Sequence, residues 1–328
     1  MVYFMDMSFA GGAPPELFAG EAVLKNALSI SIGSSKRDKV VEIDLLGEHV
    51  RLERLGTDGD MAAAARKYNE MDGKVDAFGV GGTDLGLYVD RHWYPFYSVR
   101  SLTEGVRHTP VVDGTGLKTT LELRVARFIQ QQLGAKVPLR RVFLMAGVDR
   151  WGMARSFLDA GCDCLFGDLM FGLGIPLPLR SPQTVKTFAR LAMPIVGRIP
   201  FHWLYPVGEA QEKRTPRYQK QFDWADVIAG DCHYSTRYMP DRLDGKVVVT
   251  NTTTPHDQEQ FRQAGVKYLV TTTPVLDGRS FGTNMMEAAI VAALGRREPV
   301  DYRHSETYFH ELEQAIDRMH LQSQVMEL

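Results

Sequence analysis

Val111-Val112-Asp113-Gly114-Thr115-Gly116 opens the part of the chain, residues 109–168, whose reading decides the fold. An apolar run that ends in a polar, glycine-punctuated turn reads as a strand. A long amphipathic helix is expected next, over 117–133. Arg141-Val142-Phe143-Leu144-Met145-Ala146-Gly147 then reads as a buried strand that runs into the turn Gly147-Val148-Asp149-Arg150-Trp151-Gly152 and a further helix. That helix stops at Gly161, and a second strand, 162–167, delivers Asp168 at its end. Strand, glycine turn, helix, strand and acid, in that order, outline a dinucleotide-binding unit.

Working outward, further buried strands are expected at 225–230, 246–251 and 267–272, with helical or irregular segments between them. Such alternation implies a parallel, doubly wound sheet. A helix over 283–294 is expected to cross back toward the first part of the chain. The tail, 305–326, reads as an amphipathic helix that packs on the body or on a second subunit. Residues 27–117 mix strands (27–32, 40–45, 49–55, 75–80 and a pair within 85–97) with a helix over 61–71 that Asp58 or Asp60 can cap. The fold class is therefore α/β: a small mixed N-terminal domain and a Rossmann-like doubly wound domain. The division is 1–26 as an extension, 27–117 as the substrate-side domain, joined by the 295–328 helix, and 118–294 as the nucleotide domain. Its connection 169–223 is unusually long, with Ser181-Pro182 starting a helix and Phe188, Phe201, Trp203 and Tyr205 within it. A lid or cleft wall, a subunit contact and an interfacial helix all suit such a segment.

The 328 residues suffice for two cores, and 44% hydrophobic with 24% charged residues is ordinary for a soluble protein. A net charge of -2 argues against a nucleic-acid surface. Cys162, Cys164 and Cys232 form an odd set without CxxC spacing, which points to a reducing cytoplasm and to no structural zinc site. No apolar run reaches a membrane span. A small-molecule substrate and a homo-oligomer are the expected partners.

Against G-x-G-x-x-G, Gly147 and Gly152 are present, and Asp149 stands where the second glycine lets backbone meet pyrophosphate. A carboxylate there opposes two phosphates; Arg150 offsets it, Asp149 points away, or the turn binds no dinucleotide. Asp168 lies 21 positions after Gly147, the spacing of an acid that grips a ribose diol, and it would favour NAD over NADP. The alternative is a strand-end aspartate that caps a turn. Thr252 and Thr272 follow the last two strands, where open α/β sheets bind ligands. Ser29, Ser31, Ser34 and Thr83 can bind ring hydroxyls or a carboxylate, or simply cap loops. In Gly230-Asp231-Cys232-His233, His233 suits a substrate contact or acid/base role and Cys232 a nucleophile. Asp231 and His233 could give two metal ligands, but spacing supplies no third.

Asp113-Gly114-x-Gly116, a long helix, the strand-turn unit and a late Gly282-x-x-Met285-Met286 helix resemble the shikimate/quinate dehydrogenase family. SSKRDK (34–39), DGKVDAFGVGG (72–82), VDRWGMA (148–154), GDLMFGLGIP (167–176) and NTTT (251–254) resemble, more closely, bacterial proteins labelled quinate 5-dehydrogenase, over residues 28 to about 295. The resemblance implies that Asp113 works with a lysine at the hydroxyl being oxidised. The family lysine follows a strand of the first domain, where the turn Gly79-Val80-Gly81-Gly82-Thr83-Asp84 has none. Lys118 is the nearest substitute. The family's late glutamine is Ala289 here.

The expected function is an NAD-dependent oxidoreductase that passes hydride to or from a small polyol or hydroxy acid, nominally quinate. Asp113 or Lys118 would take the hydroxyl proton. An acyl or aldehyde reductase using Cys232, and a non-catalytic ligand sensor or assembly protein, are the alternatives.

Overall fold

In a computed structural model the described residues are 24–200, 214–273, 275–276 and 279–328. Most of the expected N-terminal extension lies outside them, as do Phe201, Trp203 and Tyr205 of the long connection.

Two sheets organise the chain. The first has the order β2-β3-β1-β4-β7, formed by Lys39–Leu45 (β2), Glu48–Gly56 (β3), Lys25–Ser31 (β1), Ala77–Gly81 (β4) and Val111–Val112 (β7). All are parallel except β2, which is hairpinned onto β3. Between β3 and β4 lies α1, Met61–Met71, capped by Asp60, whose carboxylate accepts from the Ala63 amide at 2.8 Å. Gly86–Val89 (β5) and His92–Pro95 (β6) form a separate hairpin, turning at Asp90 and Arg91, both with positive φ.

In the second sheet, Arg141–Leu144 (β8), Asp163–Phe166 (β9), Val227–Ala229 (β10), Val247–Thr250 (β11) and Tyr268–Thr271 (β12) are parallel, in the order β12-β11-β10-β8-β9. Alternate residues of β8 serve two cores. Val142 and Leu144 join one, with Trp151–Asp159 (α4) and Val125–Leu133 (α3); Phe143 and Met145 join the other, with Phe222, Phe261 and Leu269. Helices thus cover both faces, and the sheet is doubly wound. Counted from β8 its strands run 2-1-3-4-5, so the order reverses between β8 and β10. Outside β9, where a dinucleotide fold carries a third strand, the described residues make a single antiparallel bridge between Phe166 and Leu179.

The segment from 117 to 133 is not one helix. A short turn of helix, Thr115–Thr119 (α2), gives way to a 3-10 turn, Glu122–Arg124, before α3 begins. The Thr120 hydroxyl donates back to the Gly116 carbonyl at 2.8 Å, a competitor for helical bonding. Downstream, Ser181 caps Pro182–Val196 (α5) through a reciprocal bond with Thr184, and Pro194 is accommodated inside that helix. Gln219–Trp224 (α6), Cys232–Tyr238 (α7) and Pro255–Gln263 (α8) follow in the second sheet's layers.

Past β12 a small ribbon, Val275–Leu276 (β13) with Arg279–Ser280 (β14), leads to Thr283–Ala293 (α9). This helix lies across β1, β3 and β4 of the first sheet, as its crossing back required, and its Met286 and Ile290 pack with Ala27, Val50, Leu52 and Val112. Glu306–Arg318 (α10) packs in the same core through Leu312 and Ile316. The tail departs from expectation at its end: the helix stops at Arg318, and Gln324–Glu327 (β15) pairs antiparallel with β12 at the edge of the second sheet.

Candidate active site

The carboxyl ends of both sheets converge on a set of charges, of which Glu122 and Arg150 are buried and Asp84, Lys118, Asp149 and Asp231 half-buried. From the turn after β4 comes Asp84, and from α2 comes Lys118. The 3-10 turn adds Glu122, the β8–α4 turn Asp149 and Arg150, and the end of β10 Asp231. Lys118 Nζ donates to Asp84 Oδ1 and to Asp149 Oδ1, each at 2.8 Å. The Arg150 guanidinium, 3% exposed, meets Glu122 Oε1 at 2.5 Å and Asp231 Oδ2 at 2.9 Å, and its Nε approaches Asp149 at 3.6 Å. Asn251, at the end of β11, donates to Asp231 at 3.0 Å, and the Thr272 hydroxyl reaches Glu122 Oε1 at 3.4 Å. Glu122 Oε2 has no hydrogen-bond partner among the described residues.

What lets these elements meet is Gly152. A Cβ there would stand 1.9 Å from the Lys118 carbonyl oxygen, so α4 can start against α2 only without a side chain. The third glycine of the turn therefore serves a helix-to-helix approach, rather than the helix-to-strand approach its motif suggests. Gly114, at φ +100°, takes the left-handed conformation that turns β7 into α2.

Burial and neighbours set the protonation states. Burial pushes Asp84 up to about 7 against the pull of Lys118, and Asp149 and Asp113 add to the rise. Burial would also raise Asp149, but Lys118 and Arg150 hold it below its ordinary value. Despite burial, Asp149 and Asp84 keep Lys118 firmly protonated. Glu122 is raised by burial in spite of Arg150. Asp231 stays low because Arg150 outweighs its desolvation.

The other expected site residues are placed differently. Both oxygens of Asp113 are taken, by the Leu85 amide at 2.7 Å and the Thr115 amide at 3.0 Å, so it shapes two turns. Asp168 is 7% exposed; its Oδ1 accepts from the Val148 amide at 2.8 Å and its Oδ2 from the Gly147 amide at 3.2 Å. The capping alternative describes it, except that the capped turn is the preceding one. Ser29 accepts from Asn284 at 2.7 Å, Ser31 from the Gly33 amide at 3.1 Å, and Ser34 caps a 3-10 turn through Lys36. The Thr83 hydroxyl donates to the Asp84 carbonyl at 3.0 Å. Thr252 is half-buried beside Asn251, and His233 is exposed at the first turn of α7. Cys232 is buried and its thiol pushed far up by desolvation, which removes the thiolate a nucleophile needs.

Sequence reasoning missed Glu122 and the site roles of Asp84, Asp231 and Asn251. Glu122 did leave a signal: it stands three and seven residues before Val125 and Ile129, on the stripe an amphipathic helix buries.

The room at the cluster is small, a crevice of about 10 Å³ among Tyr88, Thr115, Lys118, Asp149 and Trp151, enough for one water. A wider groove of about 450 Å³ lies among Leu46, Gly47, Arg318 and Met319, at the amino end of β3, away from the charges. Among the described residues no group of three or more His, Cys, Asp or Glu side chains could hold a metal ion, and no helix is long and apolar enough to cross a membrane.

Fold and cluster together define a two-sheet α/β protein with an ionic site where the strand ends meet. The chain belongs to the family described as a domain of unknown function (DUF8754), which matches residues 116–328; residues 26–113 match a second domain of unknown function (DUF8753). No curated protein matches the sequence. Among solved structures it is similar to a putative malic enzyme (malate oxidoreductase), at 12% identity over 90% of this chain and 77% of that one, TM-score 0.38. An NAD-dependent malic enzyme from Thermotoga maritima gives 12%, 90%, 77% and 0.37. A solute-binding protein of an ABC transporter from Burkholderia multivorans gives 12%, 92%, 98% and 0.34. All three scores lie below one half, and none bears on this chain's activity.

Proposed function

We propose that this protein is an acid–base enzyme for a small hydroxylated substrate, a polyol or hydroxy acid, with Lys118 and Asp84 as its proton-handling pair and one substrate hydroxyl in place of the single water their crevice has room for. The observation that carries this reading is the Lys118 ammonium held at 2.8 Å from two carboxylates, one from each sheet's strand ends. A fixed cation at that place stabilises a developing alkoxide. A carboxyl group near 7 takes or gives a proton at neutral pH. Relative to the shikimate/quinate dehydrogenase pattern the two partners exchange places: the turn after β4 supplies the acid, and the helix after Asp-Gly-x-Gly supplies the lysine.

The redox form of this reading, with hydride passed to or from NAD and quinate as nominal substrate, has that exchanged pair as its support. The β8–α4 turn does not fit a dinucleotide as it stands, because Asp168 holds two of its amides and Asp149 occupies the close-approach position. That same occupancy favours a second reading, a ligand-binding protein without turnover.

Incubation with quinate and related polyols and hydroxy acids, with and without NAD or NADP, followed by product analysis, separates these. Product with neither nucleotide supports dinucleotide-independent acid–base chemistry, and product only with NAD or NADP supports the oxidoreductase. In either case Asp84→Asn is expected to cut turnover by about 10²–10⁴-fold. Saturable binding with no product establishes the second reading, and no binding of any of them discards both.

A further inference from the structure

The β8–α4 turn has the form of an anion cradle, and we infer that its anion is built in: at neutral pH the Asp168 carboxylate occupies the place a phosphate would take. Successive backbone amides in a turn that leads into a helix form a concavity that attracts a negative group. Here the Gly147 and Val148 amides both point at Asp168, one to each oxygen. Gly147 leaves no slack, since a Cβ on it would stand 2.6 Å from the Phe166 ring and 3.3 Å from Asp168 Oδ2.

Asp168 is also held from behind. It begins a π-helical turn, Asp168–Gly172, a form rare enough to mark a local constraint. The Met170 carbonyl accepts from the Tyr218 hydroxyl at 2.8 Å. Phe171 sits among Tyr218, Tyr238 and Phe143, with ring centroids 5.3, 5.0 and 6.0 Å away. Within the turn the Leu169 carbonyl accepts from the Leu173 and Ile175 amides that follow it. These contacts fix the backbone that aims the carboxylate.

The charges around the turn exclude a second anion. Asp149 adds a carboxylate at the position where pyrophosphate approaches most closely. Arg150, the cation of the turn, is spent below it on Glu122 and Asp231. Among the described residues of the turn, an incoming pyrophosphate would meet two carboxylates and a cation that is already paired. The fingerprint acid and the fingerprint turn are both present, yet they bind each other.

Calorimetric titration of the wild type and of Asp168→Ala with NAD, NADP and inorganic phosphate tests this, together with melting curves in phosphate and in chloride at equal ionic strength. The wild type is expected to give no binding heat with any of the three. Asp168→Ala is expected to melt lower, and phosphate is expected to raise its melting temperature more than it raises that of the wild type. If the alanine variant does not fold, Asp168→Asn, which keeps one acceptor oxygen, is read in the same way. Dinucleotide binding by the wild type that weakens in the variant would overturn the inference, because Asp168 would then grip the ligand. Equal phosphate stabilisation of both proteins would overturn it as well. None of these outcomes depends on Lys118 or Asp84, so the proposed chemistry stands or falls separately.

Discussion

Replacing Arg150 by Met keeps the bulk of the side chain and removes the cation that Glu122 and Asp231 share. Asp231 retains Asn251 and the His233 amide, at 3.0 and 2.9 Å. Glu122 retains only a long contact from Thr272. With its carboxylate 1% exposed, Glu122 must then take up a proton in the folded state. Taking that proton at pH 7 against an ordinary value of 4.5 costs about 3 kcal/mol, from 1.36 kcal/mol per unit. This agrees with the roughly 3–5 kcal/mol seen when one partner of a buried ion pair is removed. The sign with pH follows from linkage. In Arg150→Met the folded state binds a proton that the unfolded chain has released, so stability falls as pH rises above 4.5. Equilibrium urea unfolding at pH 7 and pH 5.5 measures it, and the deficit relative to wild type, whose own Glu122 is already raised by burial, is expected to shrink by up to about 2 kcal/mol at the lower pH. Adding Glu122→Gln should restore most of the loss. A deficit under about 1 kcal/mol at pH 7, or a double variant no better than the single one, would refute the reasoning.

Two further perturbations follow from buried geometry. Glu287 accepts from the Tyr302 and Tyr308 hydroxyls at 3.1 and 2.5 Å and from the Leu117 amide at 3.3 Å, and burial, aided by Asp113, raises it to about 7. Wild-type stability therefore carries a decline between pH 4.5 and 7 worth up to about 3 kcal/mol, which Glu287→Gln should remove; parallel urea-midpoint curves for the two proteins would count against it. Gly152→Ala should cost at least the roughly 1–3 kcal/mol of an overpacked core, since the added Cβ meets backbone at Lys118. Gly172→Ala, where nothing lies within 4 Å, is the matched control, and equal urea midpoints for the two variants would show that α4 simply shifts.

The five parallel strands of the second sheet were legible because a strand buried on both faces is a short apolar run closed by glycine or a polar turn, as in Val247–Thr250 and Tyr268–Thr271. Their order was not, because the reversal between β8 and β10 is a choice of neighbour, not of residue. The C-terminal strand was missed because Gln324–Glu327 is an edge strand with mixed polarity, and only its pairing with β12 makes it one. The site divided similarly. Asp149 and Arg150 were visible as charged residues in a glycine turn and Lys118 as the lysine nearest Asp113, whereas Glu122 finds Arg150 28 positions away and Asp231 finds it 81 away. Asp168 shows the limit most sharply, since 21 residues after a turn glycine is the same spacing whether the carboxylate grips a ribose or the turn itself.

The return of α9 to the first sheet has a consequence for how the chain is made. Ala27, Val50, Leu52 and Val112 are in place once residue 112 has left the ribosome, but their cover, Met286 to Ala293, comes about 180 residues later. At 5–20 residues per second that is about 10–40 s during which one face of a mostly parallel sheet stays uncovered. A sheet whose strands are made early is thus among the last parts to be finished, and a nascent chain stalled anywhere between residues 112 and 283 presents that apolar face to whatever the cell supplies.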